Sequence, residues 1–177
     1  FDPVKNITCI DGGAIIVKDK NKVASLREKR LIGMGQPSEV MYQNARAWTY
    51  DVQQLGYRYH LANLHAAIGL AQLKKIDFIR ASRVDACRNY TAQFSGIEGL
   101  LLPASDFQDA LPFIYYVRVR HGKRAEFIQY LKEQGVDTGI HWQPGHRFSL
   151  FQHCRRNDLP VTERIAEEIV TLPLHSG

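Results

Sequence analysis

The hydrophobic and polar positions of the first half of the chain predict one strand and a basic helix. Residues Ala14 to Val17 form an apolar run after an Asp-Gly-Gly turn, and this predicts a buried strand. Lys22 to Leu31 has the pattern of a short helix that ends near Gly33. From Gly33 to about Tyr50 the periodicity is lost. A loop of that length is typical of a functional or interface segment, and a mobile surface loop is the alternative.

The residues from Asn63 to Leu73 have the most apolar helical pattern in the chain. Small and apolar side chains nearly encircle this helix, at Ala66, Ala67, Ile68, Gly69, Leu70, Ala71 and Leu73. A helix that is apolar on all sides has to be buried. We therefore predict that it lies between domains or at a subunit interface, with Asn63 as its N-terminal cap.

The pattern from Ser82 onward predicts a helix with a single apolar stripe. Val84, Cys87 and Phe94 share this stripe, and Gly96 ends the helix. A cysteine on such a stripe is more often an ordinary core residue than a reactive thiol. Residues 100–112 then form an irregular connection with a short acidic stretch.

The rest of the chain has the pattern of a small layered α/β domain. Phe113 to Val119 alternates and predicts a strand, Gly122 to Gln134 predicts a helix, and Val136 to His141 predicts another strand. The last helix opens at Asp158-Leu159-Pro160, and its apolar face is Val161, Ile165 and Ile169. This succession fits helices that cover one face of a sheet.

Composition narrows the class of protein without identifying it. The chain has 177 residues, of which 45% are hydrophobic and 23% charged, as in globular proteins. Neither a signal peptide nor a membrane span is visible, and three scattered cysteines favour a reducing, cytoplasmic location. The formal charge of +5 suits an anionic substrate, but the basic residues are spread along helices, so we expect no nucleic-acid partner.

One lysine stands in the mostly apolar first segment, at Lys5. Apolar surroundings disfavour the ammonium form, and a neutral amine can attack a carbonyl. Lys5 is therefore a candidate Schiff-base residue. The alternative is a solvated surface lysine, which is the commoner case.

The segment around Lys5 resembles the cofactor-lysine motif of a known family. Its sequence Phe-Asp-Pro-Val-Lys-Asn-Ile-Thr-Cys-Ile-Asp-Gly-Gly-Ala is similar to Ser-Phe-His-x-x-Lys-x-x-Thr-x-Gly-Glu-Gly-Gly of the DegT/DnrJ/EryC1/StrS family of pyridoxal-phosphate-dependent nucleotide-sugar aminotransferases. The resemblance places Lys5 on the lysine that binds pyridoxal 5′-phosphate covalently. Asp2 replaces the family's histidine, Ile10-Asp11 replaces Gly-Glu, and the family's serine would precede Phe1.

A second segment resembles a loop and helix of the same family. Gly-Tyr-Arg-Tyr-His-Leu-Ala from Gly56, followed by the apolar helix, is similar to Gly-Tyr-Asn-Tyr-Arg-Met-Thr. In the family this loop reaches across a homodimer to the partner's cofactor phosphate. The resemblance implies phosphate or substrate contacts for Arg58 and His60, at positions where the family has Asn and Arg. Ala62 replaces the family's threonine.

Two later segments match in the correct order. Residues 138–148 resemble the family's Gly-Ile-x-Thr-x-x-His-Tyr-x-Pro-x-His segment, which implies that His141 and His146 contact substrate; hydrogen-bonded loop histidines are the alternative. His153 and Cys154 lie nearby and suggest zinc, but the spacing matches no common zinc site, so we predict no metal. Thr-Leu-Pro-Leu-His from Thr171 resembles the Leu-Pro-Leu-His segment.

Together the four segments imply the C-terminal part of an α/β enzyme of the aspartate-aminotransferase-like fold, known as fold type I. Residues 1–80 would be the end of the cofactor-binding large domain and residues 81–177 the small C-terminal α/β domain. The implied reaction moves an amino group from glutamate to a nucleotide-linked keto-deoxysugar, in amino-sugar, cell-surface polysaccharide or secondary-metabolite biosynthesis. We expect a homodimer with shared active sites. The chain begins without Met on an active-site segment, so we expect it to be the C-terminal part of a longer polypeptide and to be inactive without the cofactor contacts of the other part. Uncovered sheet edges and an uncovered apolar helix predict that the chain alone self-associates.

Two other functions stay open at this point. A sugar dehydratase of the same fold would have His at the lysine position, and Lys5 argues against it. A non-catalytic or regulatory binding protein that keeps the fold would explain the departures at Asp2, Ile10 and Ala62. Cofactor absorbance separates the binding protein from the aminotransferase.

Overall fold

The computed structural model describes residues 1–35 and 50–175. These residues divide into two compact units, Phe1–Lys74 and Lys75–Gly177. The loop predicted from Gly33 to Tyr50 falls mostly on residues 36–49, outside the described residues. The assignment of residues 1–80 and 81–177 to a large and a small domain stays a prediction.

Two helices of the first unit confirm the sequence pattern, but the predicted cap at Asn63 is wrong, because Ala62 has the N-cap position and no side chain caps that helix. Helix α1 spans Asn21–Lys29 and helix α2 spans Asn63–Leu73. Asp19 starts α1, because its carboxylate accepts a hydrogen bond from the Asn21 amide at 3.0 Å. At its other end, Gly33 donates to the Glu28 carbonyl at 2.9 Å and has a φ of +79°, which closes the helix with a left-handed residue.

Two glycines let the segment after α1 contact the chain that returns at residues 50–60. A Cβ on Gly33 would lie 1.9 Å from the Gln54 carbonyl oxygen, and a Cβ on Gly56 would lie 2.1 Å from the Gly33 amide nitrogen. Both contacts are with backbone atoms, which cannot move aside as a flexible side chain can. Close backbone approach therefore requires glycine at both positions.

The strand predicted at Ala14 to Val17 is wrong. These residues form no strand, and Ile15 and Ile16 are 76% and 95% exposed. A strand needs a neighbour to pair with, and no strand lies beside this segment within the described residues. The apolar run is therefore unpaired, and its two isoleucines are uncovered.

Helix α2 also differs from its prediction in burial. None of its residues is buried, and Leu64, Leu70 and Leu73 are 68%, 62% and 51% exposed. The described part of this chain covers only part of its apolar surface. Its burial at a domain or subunit interface stays a prediction.

The second unit builds a three-stranded antiparallel sheet in the order β1-β2-β3. Its helices and strands, in chain order, are α3 (Ile76–Phe94), β1 (Leu100–Leu101), β2 (Tyr115–Val119), α4 (Arg124–Glu133), α5 (Pro160–Glu168) and β3 (Ile169–Leu172). Single turns of 3₁₀ helix lie at Gly145–Arg147 and Ser149–Phe151. The central strand pairs Tyr115 with Leu172 and Val117 with Val170.

Three patterns of the second unit are confirmed and two are corrected. The helix from Ser82, the strand at residues 113–119 and the helix at residues 122–134 are present, although α3 begins earlier, at Ile76. Val136 to His141 is not a strand, because only Gly139 pairs, in a single bridge with Thr171. Ile169 belongs to β3, since α5 ends at Glu168.

The core of the second unit lies between the sheet and the stripe of α3. Tyr115, Val117, Val170 and Cys87 are fully buried. The Tyr115 hydroxyl lies 3.0 Å from Thr91 Oγ1, which satisfies a polar group that burial would otherwise penalise. Burial raises the pKa of the Cys87 thiol to about 11, against a smaller opposite effect of Arg83. The thiol therefore stays protonated at neutral pH, as expected for a core cysteine.

Candidate functional site

Lys5 lies on a short hydrogen-bonded turn near the start of the chain. The Asp2 carboxylate accepts from the Val4 amide at 3.0 Å, and the Asp2 carbonyl accepts from the Lys5 amide at 3.0 Å. Such an aspartate turn is local and does not need a long-range partner. Asp2, which replaces the family's histidine, therefore shapes the turn that presents Lys5, and Lys5 is exposed on it.

The Lys5 turn is fixed to the rest of its unit by the residues that follow it. Thr8 Oγ1 and the Cys9 amide both donate to the Phe1 carbonyl, each at 3.1 Å. Cys9 is 1% exposed and packs on α2, where a Cβ on Gly69 would lie 3.3 Å from the Cβ of Cys9. Sequence reasoning missed this packing. The glycine inside an apolar helix was the signal that could have indicated it.

Ile10 lies at the position where the family motif has a glycine, and its backbone is left-handed. Its φ is +77°, a region that β-branched residues rarely adopt. The Ile10 amide still donates to Thr8 Oγ1 at 3.0 Å, so the turn forms despite the isoleucine. The structure thus shows why a glycine suits this position and that isoleucine is strained there.

We expect Ile10→Gly to raise the free energy of unfolding by about 1 kcal/mol. Relief of a left-handed β-branched residue outweighs the extra flexibility of glycine and the small decrease in buried apolar surface, because Ile10 is already 52% exposed. Ile10→Ala is the control, since it removes the same side chain but keeps a Cβ. Chemical denaturation of both variants measures the difference. An Ile10→Ala variant stabilised as much as Ile10→Gly would contradict the backbone explanation.

Arg58 and His60 lie together in a cleft of about 1050 Å³ in the first unit. Main-chain hydrogen bonds place them beside the end of α1. Leu31 pairs with Arg58 in an isolated antiparallel β-bridge, and the Tyr59 amide donates to the Arg30 carbonyl at 2.8 Å. Lys5 is not among the described residues that line this cleft. The structure therefore brings Arg58 and His60 together but does not bring Lys5 into the same cleft.

The cleft is lined by an excess of positive charge. Arg27, Lys29 and Arg30 at the end of α1 join Arg58 in its lining, and Asp11 is the one acidic side chain among the lining residues described. Sequence reasoning assigned no role to the three α1 residues, because their helix has the pattern of an ordinary solvated face. The bridge from Leu31 to Arg58 and the hydrogen bond from Tyr59 to Arg30 show that they share a surface with the predicted site residues.

His141 is held by the edge of the second unit's sheet. Its Nδ1 lies 2.9 Å from Oγ1 of Thr171, a buried residue of β3. The neighbouring Trp142 ring meets it edge to face and is 63% exposed. The ring of His141 thus has a partner inside the unit, and its predicted contact with substrate stays a prediction.

His146 and Arg147 form a hydrogen-bonded network with two glutamates of α5. His146 Nε2 contacts Glu163, and Arg147 Nε donates to the other Glu163 oxygen at 2.9 Å. Arg147 also donates to Glu167 at 2.6 Å. Hydrogen bonds from His146 first, and then from Arg147, hold the pKa of Glu163 below its usual range. These contacts favour the alternative that His146 is a hydrogen-bonded loop histidine. Its contact with substrate stays a prediction.

The Glu163 network makes a pH-dependent contribution to stability. A carboxylate whose folded pKa is lowered stabilises the fold above its unfolded pKa, and the contribution is lost as pH falls through the folded pKa. We therefore expect Glu163→Gln to lower the thermal midpoint above about pH 4.5, the ordinary pKa of a glutamate, with a difference that shrinks toward zero at lower pH. Melting curves between pH 3 and pH 7 measure it. A pH-independent difference would indicate a loss of packing alone.

Two other kinds of site are absent from residues 1–35 and 50–175. No helix in this part of the chain combines the length and the apolar character that crossing a bilayer requires. The same residues contain no group of three or more His, Cys, Asp or Glu side chains placed to hold a metal ion.

The chain belongs to the DegT/DnrJ/EryC1/StrS aminotransferase family, whose sequence profile matches residues 1–177. Among solved structures, AtS13 from Actinomadura melliaura is 26% identical and superposes with a TM-score of 0.84 over 99% of this chain and 45% of its own. The aminotransferase TlmJ from Streptoalloteichus hindustanus is 27% identical, with a TM-score of 0.74 over 90% of this chain and 41% of its own. The predicted family and the α/β, aspartate-aminotransferase-like fold are confirmed.

Two further relatives show how much of the family's length this chain spans. The uncharacterized protein MJ1066 from Methanocaldococcus jannaschii is 26% identical over 99% of this chain and 47% of its own. The putative sugar aminotransferase Spr1654 from Streptococcus pneumoniae, solved in its PLP form, is 20% identical, so it shares the fold, with a TM-score of 0.74 over 92% of this chain and 41% of its own. The chain thus spans less than half the length of the relatives it matches.

Proposed function

We propose that this chain carries the cofactor lysine of a pyridoxal-phosphate-dependent sugar aminotransferase. The observation that supports this most directly is Lys5, which is exposed on a hydrogen-bonded turn and which the resemblance of the surrounding segment aligns with the family's cofactor lysine. The reaction we propose transfers an amino group from glutamate to the keto carbon of a nucleotide-linked keto-deoxysugar. Membership of an aminotransferase family and sugar aminotransferases among the solved relatives support the coarser part of this proposal.

The side chains of the first unit supply the chemical groups that pyridoxal phosphate binding requires. An aldehyde needs a primary amine, which Lys5 supplies, and a phosphate needs donors and positive charge, which Arg58 and His60 supply in a cationic cleft. When bound, the cofactor acts as an electron sink for the bond that breaks at the donor's α-carbon. Lys5 Nζ would accept the proton that leaves that carbon and would deliver a proton to the carbon that gains the amino group.

A shared active site accounts for the separation of Lys5 from the cleft. Lys5 does not line the cleft that holds Arg58 and His60 in the described residues. We therefore propose a homodimer in which Arg58 and His60 serve the phosphate bound at the partner's Lys5, and His141 and His146 contact substrate. The remaining cofactor contacts come from a longer cytoplasmic polypeptide, so this chain alone is inactive.

Covalent trapping of the cofactor tests the proposal. The full polypeptide that carries this chain is incubated with pyridoxal phosphate, reduced with borohydride and mapped by peptide mass spectrometry. We expect the reduced cofactor on the peptide that contains Lys5, and no such adduct in Lys5→Ala. Lys18→Ala, which removes another lysine of the same unit, is the matched control and keeps the adduct.

The trapping experiment has an outcome for the other function as well. Modification of several surface lysines at equal, low yield would show that Lys5 is not selective. That result would favour the non-catalytic binding protein. Before reduction, an absorption band of the bound cofactor that shifts on addition of glutamate supports the donor half of the reaction, and no shift with glutamate would overturn the choice of donor.

A further inference from the structure

We propose that Thr171 is a positioning residue that fixes the orientation and the tautomer of His141, so that His141 Nε2 donates a hydrogen bond to an oxygen of the substrate. This role rests on the proposed function, because it names the atom through which His141 contacts the sugar nucleotide. Its first support is burial. Thr171 is the one buried polar residue among residues 1–35 and 50–175, and a polar side chain in such a place is normally hydrogen-bonded.

The chain around Gly139 is held against the edge of β3 beside Thr171. The Gly139 amide donates to the Thr171 carbonyl at 3.0 Å, and the Thr171 amide donates to the Gly139 carbonyl at 2.7 Å. Val170 and Leu172, on either side of Thr171, belong to the core. Because side chains alternate along a strand, the Thr171 side chain lies on the other face of the sheet, where His141 meets it.

Two contacts hold the ring of His141 in one place. Its Nδ1 lies 2.9 Å from Thr171 Oγ1. The ring also lies close over Gly139, where an added Cβ would be 2.7 Å from His141 Cε1 and 3.1 Å from Nδ1. Glycine at position 139 therefore leaves the room that the ring needs in order to reach Thr171.

The hydroxyl of Thr171 decides which nitrogen of the ring carries the proton. A threonine hydroxyl has one proton to donate, and within the described residues Thr171 Oγ1 has no hydrogen-bond partner other than His141 Nδ1. A buried hydroxyl that leaves its proton unused carries a desolvation penalty. The hydroxyl therefore donates, Nδ1 accepts, and the proton of the ring is on Nε2.

His141 Nε2 is the end of the ring that remains available to a ligand. In the part of the chain that the structure describes, it has no hydrogen-bond partner and it is not among the polar side-chain atoms buried without one. A ring nitrogen that carries a proton is a donor. The complementary group is an oxygen that accepts, such as a keto, hydroxyl or phosphate oxygen of a sugar nucleotide.

Nitrogen NMR on isotope-labelled histidine measures the tautomer in the full polypeptide loaded with pyridoxal phosphate, and His141→Gln identifies the signals of His141. We expect the wild type to carry the proton on Nε2 and Thr171→Val to populate both tautomers. Valine suits a strand and matches threonine in shape, so this variant removes little besides the hydroxyl. Thr171→Ser keeps the hydroxyl and should resemble the wild type.

Gly139→Ala tests the same positioning without changing Thr171. Its Cβ displaces the ring from Thr171, so it should mix the tautomers as Thr171→Val does. A proton on Nδ1 in the wild type, or an unchanged ring in both variants, would overturn the role of Thr171.

Steady-state kinetics tests the contact with substrate, with keto-deoxyhexoses linked to thymidine diphosphate or uridine diphosphate as probes. We expect Thr171→Val to raise the KM for the sugar nucleotide by about threefold to tenfold, because one hydrogen bond of ordinary strength is loosened. Both kcat and the KM for glutamate should stay within about twofold. Thr171→Ser should restore the KM, and Thr162→Val, at an exposed threonine of α5, should not change it.

The outcomes separate the role of Thr171 from the proposed function. If the Lys5 adduct forms and Thr171→Val leaves the KM for the sugar nucleotide unchanged, the contact through Nε2 is wrong while the cofactor assignment stands. If the adduct forms but neither probe is aminated, the proposed substrate class is wrong, and the contact fails with it. If no adduct forms, the proposed function fails, and the tautomer measurement still decides whether Thr171 positions His141.

Discussion

Replacing Lys5 by alanine in the full polypeptide should lower the rate of amino transfer by at least about 10³-fold. Removal of a residue that bonds covalently to the reacting group costs this much or more in enzymes, because no other group replaces its chemistry. Lys5 is exposed on its turn, so the substitution itself changes stability by no more than about 0.5 kcal/mol. Initial rates with glutamate and a keto-sugar nucleotide measure the decrease.

Lys5→Arg distinguishes the amine from its charge. Arginine keeps the positive charge and length, but its guanidinium does not lose its proton in proteins and cannot serve as the nucleophile. We expect Lys5→Arg to be as inactive as Lys5→Ala, whereas Lys18→Ala should retain activity. Activity within about tenfold of the wild type in Lys5→Arg would mean that Lys5 acts only by its charge.

Gly33→Ala should lower the free energy of unfolding by more than about 3 kcal/mol, the largest stability effect that we expect. The new Cβ would lie 1.9 Å from the Gln54 carbonyl oxygen, and the φ of +79° adds the cost of a left-handed alanine. Since both partners are backbone, relief requires the segment 50–60 to move away from α1. Chemical denaturation measures the decrease in stability.

A glycine without such constraints is the control for Gly33→Ala. A Cβ added to Gly145 would have no atom within 4 Å, and the φ of Gly145 lies outside the left-handed region. We expect Gly145→Ala to change stability by less than about 1 kcal/mol. A Gly33→Ala variant as stable as Gly145→Ala would disprove the close approach of the two segments. It would also remove the reason for placing Arg58 beside α1.

Local patterns predicted the elements whose stabilising contacts are near in sequence. Helices α1, α3 and α4 follow from spacing and terminal residues, and β2 follows from its alternation, because these signals lie inside each element. The local pattern does not determine whether the run Ala14 to Val17 forms a strand. Whether an apolar extended segment becomes a strand depends on a neighbour, and composition does not say whether that neighbour is present.

The candidate site was predictable in its motifs but not in its surroundings. Lys5, Arg58 and His60 came from resemblance, and their places in the structure depend on contacts that the sequence does not display. Arg27 and Arg30 were not found, since nothing in a basic helix indicates which strand or loop it faces. His146 was ambiguous for a related reason, because its partner Glu163 lies on a helix that begins many residues later.

The uncovered run Ala14 to Val17 has a consequence for amide hydrogen exchange. Within the described residues, the amides of this run have no hydrogen-bond acceptor. In deuterated water they should exchange at the rate of an unstructured peptide, whereas the paired amides of β2 exchange far more slowly. If another strand pairs with this run in the longer polypeptide, its amides become protected. Their deuterium uptake then reports whether the longer polypeptide supplies a strand that pairs with this run.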